Sequence, residues 1–273
     1  MANHPALDPR PAGQWAGTDL GTRTVSYDQR DAIIYALAVG AGAEDLDLVF
    51  EERLRVLPTF ALALAQWAPD ALGSQGGFDT RLSVHGSQRL EVTAPLPRSG
   101  EITMRAKVAN VWDKGAAAVF DIDVESDYFV ATWSIFGPGS GGFGGERGPG
   151  REPGPEGAPD LTVAVPTFPA QAALYRLTGD RHHIHIDPEA AAAIGQPKPI
   201  MHGLCTMAAA TLPLAAELGA HPADLTSLAG RFAAPVFPGD TLELSAWRTG
   251  GGHAVELAGP TGPVITGGHL SFA

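Results

Sequence analysis

The chain is poor in cysteine and in long hydrophobic runs. Cys205 is the single cysteine among 273 residues, which excludes an internal disulfide and favours a reducing cytoplasm. The longest uncharged apolar run, residues 204–216, is too short to span a bilayer and predicts a buried helix. Residues 1–13 are polar and contain proline, so they do not resemble a signal peptide. These absences predict a cytoplasmic protein without a membrane span.

Basic residues are also scarce. The chain has 18 Lys and Arg against 30 Asp and Glu, so its formal net charge is −12 at pH 7. A surface that binds nucleic acid needs an excess of positive charge, and this balance argues against nucleic acid as a partner. It leaves open an anionic small ligand, which needs only a local basic patch. A hydrophobic content of 44% is ordinary for a globular protein.

Glycine and proline dominate one segment and divide the chain. Residues 137–160 contain almost no large apolar side chain, so they cannot bury enough surface to offset the entropy lost on ordering. We therefore predict two repeats, 1–136 and 161–273, joined by a linker or long loop. Each repeat reads as a short helix, an apolar central helix and then antiparallel strands. A curved sheet wrapped around each apolar helix predicts a duplicated α+β domain.

The predicted elements follow the hydrophobic pattern and the turn residues. In the first repeat we expect helices at 28–40 and 58–67, the second with Pro58 in its first turn, and strands at 83–93, 100–112, 117–124 and 128–136. In the second repeat we expect helices at 170–178, 188–194 and 203–218, and strands at 227–233, 241–248, 253–257 and 264–272.

The short polar loop 179–188 carries the strongest chemical signal. Asp180 and His185 stand five residues apart, and acid/base chemistry beside a carbonyl needs a proton acceptor and a proton donor of this kind. Capping of the following helix by Asp187 would explain only one of the acids. A metal site is the competing interpretation, and its candidate ligands are Asp180, His182, His183, His185 and His202. Their spacing matches no zinc signature, and the adjacent His182 and His183 would tend to point apart.

Gly203 opens the apolar helix 203–218 directly after His202. The N–H at a helix start has no partner within the helix, and the helix dipole favours its binding of an oxygen that gains negative charge. One such donor contributes about 3–4 kcal/mol to transition-state binding in other enzymes. Cys205, on the same helix, is expected to be a buried structural thiol. The glycine-rich run 139–145 lacks the spacing of a phosphate-binding loop, so we expect a flexible crossover there.

Two stretches together resemble the hydration motif of MaoC-like hydratases. More narrowly they resemble hydratase 2, the (R)-specific enoyl-CoA hydratase part of peroxisomal multifunctional enzymes. The first stretch is Tyr175-Arg176-Leu177-Thr178-Gly179-Asp180 through His185-Ile186-Asp187-Pro188, and the second is Lys198-Pro199-Ile200-Met201-His202-Gly203-Leu204-Cys205-Thr206. The resemblance covers nearly the whole chain, and further landmarks are Leu57-Pro58-Thr59-Phe60, His85-Gly86, Asp113-Lys114-Gly115, Gly141-Gly142-Phe143-Gly144-Gly145 and Arg231-Phe232-Ala233-Ala234-Pro235-Val236.

The resemblance implies a double hotdog fold. It also implies hydration of trans-2-enoyl-CoA to (3R)-3-hydroxyacyl-CoA, or the reverse dehydration, without a metal or an organic cofactor. The acyl-CoA thioester is the implied partner, and a homodimer is a further implication. Because both proton-handling groups belong to one loop, we expect water to add to one face of the double bond, as syn addition.

The family's functional residues fall on definite positions of this chain. Asp180 and His185 are the implied catalytic pair that holds and activates water, with His182 beside them. Gly203 is the implied N–H donor to the thioester oxygen. The positions that the family uses to contact acyl-CoA are His85, Gly86, Lys114 and Phe232. The first repeat has no equivalent Asp/His loop, so we expect one active site per chain, with the first repeat forming the acyl pocket.

One departure from the family pattern lies in this loop. The family usually has Asn two residues after the catalytic Asp and then Pro, whereas this chain has His182 and His183. An imidazole can donate, accept and gain charge near pH 6.5, so we expect activity with an altered acid limb of the pH–rate profile. Two alternatives stay open: a thioesterase of the same fold, and a non-catalytic acyl-CoA-binding protein whose water site these histidines have spoiled.

Overall fold

The computed structural model describes residues 8, 10–151 and 153–273. The predicted polar start of the chain, residues 1–13, therefore lies largely outside the described residues. Within the described ranges ten strands form one antiparallel sheet. They are β1 (Asp19–Tyr27), β2 (Val84–Val92), β3 (Gly100–Asp113), β4 (Ala117–Glu125), β5 (Phe129–Pro138), β6 (Leu161–Pro166), β7 (Leu225–Phe232), β8 (Thr241–Thr249), β9 (Gly252–Gly259) and β10 (Gly262–Phe272).

The same ranges contain seven α-helices. They are α1 (Gln29–Ala38), α2 (Leu46–Val49), α3 (Phe60–Leu64), α4 (Trp67–Ser74), α5 (Gln171–Tyr175), α6 (Pro188–Ala193) and α7 (Gly203–Leu218). The start of α1 is fixed by a capping box, in which the Asp28 carboxylate accepts from the Asp31 N–H and the Asp31 carboxylate accepts from the Asp28 N–H, both at 3.0 Å. No helix in the described part of the chain combines the length and the hydropathy needed to cross a bilayer.

The strand order shows that the two repeats are equivalent. Along the sheet the strands run β1-β3-β4-β5-β2-β7-β10-β9-β8-β6, so the second five strands repeat the order of the first five in reverse. The repeats meet where β2 pairs with β7, from Ser87 opposite Arg231 to Glu91 opposite Ser227. This pairing leaves no exposed sheet edge at the junction. The expected α+β double hotdog is confirmed.

The central helix of the second repeat is α7, and it lies where the sequence predicts a buried helix. Ten of its 16 residues are buried, because the sheet and the first repeat cover it on most sides. Gly219 ends the helix in the left-handed conformation, with φ of 67°. The buried Cys205 thiol donates to the Ala38 carbonyl oxygen at 3.5 Å, which fits the predicted structural role.

The central helix of the first repeat differs from the prediction of one helix over 58–67. Helix α3 ends at Leu64 and α4 begins at Trp67. Pro69 has no N–H to donate to the Ala65 carbonyl, and the Ala68 N–H takes that oxygen instead at 3.1 Å. The last turn of α3, just before the break, faces the polar loop of the second repeat, since a Cβ on Gly179 would lie 3.1 Å from the Ala63 carbonyl oxygen.

The segment between β5 and β6 crosses the outward-facing side chains of the sheet. Arg231 donates to the Gly150 carbonyl oxygen at 3.2 Å, and the Trp247 indole N–H donates to that of Gly157 at 3.1 Å. The start of the crossover is anchored on one carboxylate, because Asp113 accepts N–H bonds at 2.8–2.9 Å, from Gly115, Gly142 and Gly144. These backbone donors, Gly142 first, lower the pKa of Asp113 to about 2.

Replacement of Asp113 by Asn should lower the melting temperature. The amide keeps the size of the side chain but offers one accepting oxygen instead of two charged ones, so the crossover loses part of its anchor. Because the pKa of Asp113 falls from 3.8 on folding, its stabilisation is fully present at neutral pH. Circular dichroism melts at pH 7 measure the effect, with the exposed Asp127→Asn as control. Equal melting temperatures for the two variants would contradict the anchoring role.

Candidate active site

Asp180 and His185 are held by backbone contacts of the loop 179–188. The Asp180 carboxylate accepts the His182 N–H at 3.0 Å, which turns the chain towards a short 3-10 helix, His183–His185. The His185 Nδ1–H then donates to the Ile200 carbonyl oxygen at 2.8 Å. As predicted, Asp187 caps the next helix, since its carboxylate accepts from the Glu189 N–H at 2.9 Å. The loop is thus docked on the segment that leads into α7.

The structure brings a third polar side chain, His202, into this pair. Its ring stacks on that of His185, with centroids 3.6 Å apart and planes inclined by 25°. Its Nε2–H donates to the Asp180 backbone carbonyl at 3.1 Å. From its sequence position His202 was predicted only as a candidate metal ligand, although it directly precedes Gly203 and so lies beside the expected site.

The distances within this group suit a bound water. One carboxylate oxygen of Asp180 and one ring nitrogen each of His185 and His202 all lie within 4.8 Å of one another. A water that makes two hydrogen bonds of about 2.8 Å spans about 4.6 Å between its partners. Because the His185 Nδ1–H is used by Ile200, the accepting atom of this imidazole is Nε2.

Gly203, Phe232 and His85 form a second contact group next to the first. A Cβ on Gly203 would lie 2.8 Å from the Phe232 ring, so only glycine allows this ring to pack against the start of α7. The His85 ring meets Phe232 edge to face at 4.8 Å and donates through Nε2–H to the Ser87 carbonyl at 3.1 Å. A register shift at Gly86 gives His85 and Ser87 consecutive partners on β5. The proposed oxyanion donor and three predicted contact residues are therefore neighbours.

Two predicted site residues, His182 and Lys114, lie outside the two contact groups. His182 is exposed, its ring centroid is 6.3 Å from that of His185, and its Nδ1 accepts weakly from the Ile184 N–H at 3.4 Å. Lys114 donates to the Arg147 carbonyl in the crossover. Within the part of the chain that the structure describes, no contact joins Lys114 to Asp180 or His185, so its role in binding substrate stays a prediction.

The cluster fits a metal ion poorly. A metal lies in the plane of each imidazole that binds it, along the nitrogen lone pair. The rings of His185 and His202 are stacked, with centroids 3.6 Å apart and planes inclined by only 25°, so an ion close to both rings lies outside at least one ring plane. This geometry favours acid/base chemistry over metal binding.

Burial keeps three histidines, His85, His185 and His202, neutral. Loss of solvation, followed by the neighbouring His185, lowers the pKa of His202 to about 3. Loss of solvation also lowers the pKa of His85 to about 4 and moves the pKa of His185 below its usual value. A neutral His185 retains the Nε2 lone pair, so it can accept a proton at neutral pH.

Two family models match the chain, one in each repeat. The MFE-2 hydratase 2 N-terminal domain matches residues 25–132, and the MaoC like domain matches residues 151–260.

Similar proteins align over nearly their whole length. Enoyl-CoA hydratase ChsH3 of Mycobacterium tuberculosis is 39% identical over 265 residues, which are 90% of this chain and 92% of that protein. The 3-hydroxyacyl-thioester dehydratase Y of the same organism is 40% identical over 277 residues, 94% of each chain. A crystal structure of a MaoC-like dehydratase from Phytophthora Capsici has a TM-score of 0.86 and 27% identity, and the match covers 97% of this chain and 98% of that one.

The free energy of unfolding should decrease as the pH falls below 6.5. His202 stays neutral when folded, with a pKa of about 3 against 6.5 in the open chain, so the unfolded state binds more protons between these values. Each such histidine contributes a slope of up to about 1.4 kcal/mol per pH unit. Urea unfolding of wild type and His202→Gln between about pH 7 and 5 measures it. The unfolding free energy of His202→Gln should depend less steeply on pH than that of wild type, and the exposed His183→Gln should show the wild-type dependence. An equal pH dependence for His202→Gln and wild type would contradict the lowered pKa of His202.

Proposed function

The chain belongs to the hydratase 2 branch of the MaoC-like family, and we propose that it is an (R)-specific 2-enoyl-CoA hydratase. It adds water across a trans-2-enoyl thioester to give the (3R)-3-hydroxyacyl product, and it catalyses the reverse dehydration. The observation that carries the proposal is the Asp180–His185 pair, whose polar atoms lie within 4.8 Å of each other, in a chain 39% identical to an enoyl-CoA hydratase.

The start of α7 activates the substrate. Water attacks C3 of the enoyl thioester only if the thioester oxygen can take up negative charge. The Gly203 N–H is the first of a helix of 16 residues and has no acceptor within it. The helix dipole adds to its positive potential, so this N–H suits a developing oxyanion. The Phe232 ring, packed against Gly203, gives the oxyanion donor one apolar wall.

The attacking water is held between Asp180 and His185. Its two hydrogens point to a carboxylate oxygen of Asp180 and to Nε2 of His185, which leaves an oxygen lone pair for C3. Since the Asp180 oxygen and His185 Nε2 both accept a hydrogen bond from the water, neither atom carries a proton to give away. The proton that C2 receives is therefore the one taken from the water. Since both groups come from one loop, hydroxyl and proton reach the same face of the double bond, and the addition is syn.

The acyl-CoA thioester is the partner, and the first repeat supplies the acyl pocket. The break between α3 and α4 supports this assignment, because the last turn of α3 faces the polar loop at Gly179 and the helix does not continue past Leu64. His85, Gly86 and Phe232 belong to the strands β2 and β7 that join the repeats, beside Gly203. Hydration is redox-neutral and needs no redox cofactor, and the proposal includes no metal or organic cofactor.

Homodimer formation and a cytoplasmic location complete the proposal. An exposed apolar patch supports the dimer: Val84 and Phe136 are paired across β2 and β5 and are 57% and 38% exposed, and the nearby Leu82 is 58% exposed. The unpaired Cys205 is compatible with a reducing compartment. Light scattering of the purified chain tests the dimer, and a monomeric mass would remove this part of the proposal.

Asp180→Asn and His185→Gln should each lower kcat for hydration by about 10²–10⁴-fold, the range for loss of general acid/base catalysis. The assay follows the loss of the conjugated enoyl-thioester absorbance with crotonyl-CoA and longer enoyl-CoAs. His183→Gln is the matched control, since this exposed imidazole lies in the same loop outside the water site, and it should retain wild-type kcat.

The same assay separates the competing functions. Release of free CoA, detected with a thiol reagent, without hydration would assign a thioesterase. Stabilisation of the chain by acyl-CoA without turnover would assign a binding protein. Wild-type activity in both Asp180→Asn and His185→Gln would refute the site.

His182→Asn should move the acid limb of kcat/KM to higher pH by about half a unit. A protonated His182 repels a proton on His185, whose ring centroid is 6.3 Å away, and so lowers the pKa of His185. At an exposed site this repulsion is worth about 0.7 kcal/mol. The uncharged amide removes it, so His185 takes up its proton at higher pH and the variant loses activity earlier. Superimposable profiles would show that His182 does not influence His185.

A further inference from the structure

The residue before α7 departs from the usual capping rule. Helices most often begin after Ser, Thr, Asp or Asn, whose side chain accepts an N–H of the first turn. His202 holds this position with φ of −66° and ψ of 136°, yet its side chain makes no hydrogen bond to the first turn. A capping oxygen would compete for the N–H groups that the proposed reaction needs for the thioester oxygen. The imidazole leaves them available.

The His202 side chain instead makes three contacts towards the polar loop and the core. Its Nε2–H donates to the Asp180 carbonyl at 3.1 Å, one face stacks on His185 at 3.6 Å, and the Tyr175 ring lies 4.8 Å away. The residue is 2% exposed, so these contacts define a single orientation of the ring. Its own backbone is fixed as well, because its carbonyl accepts the Thr206 N–H at 3.0 Å.

These contacts connect the three parts of the proposed reaction. His202 is covalently next to Gly203, it holds the backbone of Asp180, and its ring sets the plane of His185. Within the described residues no group bonds to its buried Nδ1. A second ring proton would therefore be buried without an acceptor, so the ring stays neutral beside the base that accepts the water proton.

We infer that His202 is a positioning residue, which fixes Asp180 and His185 relative to the Gly203 N–H. This inference rests on the proposed hydratase function and adds to it a residue that acts through Asp180 and His185. Misplacement of reacting groups by about 1 Å can cost about 10²-fold in rate. His202 therefore acts on turnover through the two groups that it holds.

Two substitutions separate the two kinds of contact. His202→Phe retains an aromatic ring against His185 but loses the N–H bond to Asp180, whereas His202→Gln retains a donor but loses the stack. Each should lower kcat about 10–100-fold while KM for the enoyl-CoA changes by less than about 3-fold. Circular dichroism and melting temperatures identify the variant that folds, and one folded variant suffices for the kinetic measurement. The exposed His183→Gln should retain wild-type kcat.

A double-variant cycle distinguishes positioning from general stabilisation. If His202 acts through His185, the effect of His202→Phe on kcat should be at least about 3-fold smaller in a His185→Gln background than in wild type. A purely structural role would lower kcat by the same factor in both backgrounds.

The possible results of these experiments distinguish a failure of this inference from a failure of the proposed function. A wild-type chain without hydration activity would overturn the function and, with it, the inference. An active wild type with unchanged kcat in a folded His202 variant, or with equal factors in both backgrounds, would overturn the inference alone. A loss of kcat that shrinks in the His185→Gln background supports it.

Discussion

The burial of α7 is the constraint on which the rest of the structure depends. A helix whose residues are mostly apolar has to be covered, and the curved sheet with the first repeat supplies the cover. Burial fixes the helix axis, so the N–H groups at its start point to one place. The polar loop docks there through Ile200 and His202. The chemistry of the site is therefore set by hydrophobic packing elsewhere.

Much of the fold could be predicted because its pattern is local. The bounds of α7 were predicted to the residue, and eight strands lie where β-branched and aromatic residues alternate. Strands β1 and β6 were missed because they have little buried surface: β1 exposes most of its side chains, and β6 follows directly on the crossover. The helix predicted over 58–67 was wrong because Pro69, beyond its end, interrupts the backbone hydrogen bonds.

The site was predicted in part. Asp180, His185 and Gly203 could be selected from residue type and spacing, and the structure brings the first two within 4.8 Å. The stacking of His202 on His185 and the packing of Phe232 against Gly203 depend on how distant segments meet, which no local pattern encodes. The Asp113 anchor could not be predicted either, because two of its three donors, the N–H groups of Gly142 and Gly144, lie about thirty residues further along the chain.

The pairing of β2 with β7, which joins the two repeats, has a consequence for how the chain folds. Its partners, such as Ser87 and Arg231, are separated by more than half of the sequence, whereas β3, β4 and β5 pair between near neighbours. Closing a long loop costs entropy before any contact repays it. Each repeat can therefore form its own hairpins early. The continuous sheet is completed only when β2 of the first repeat pairs with β7 of the second.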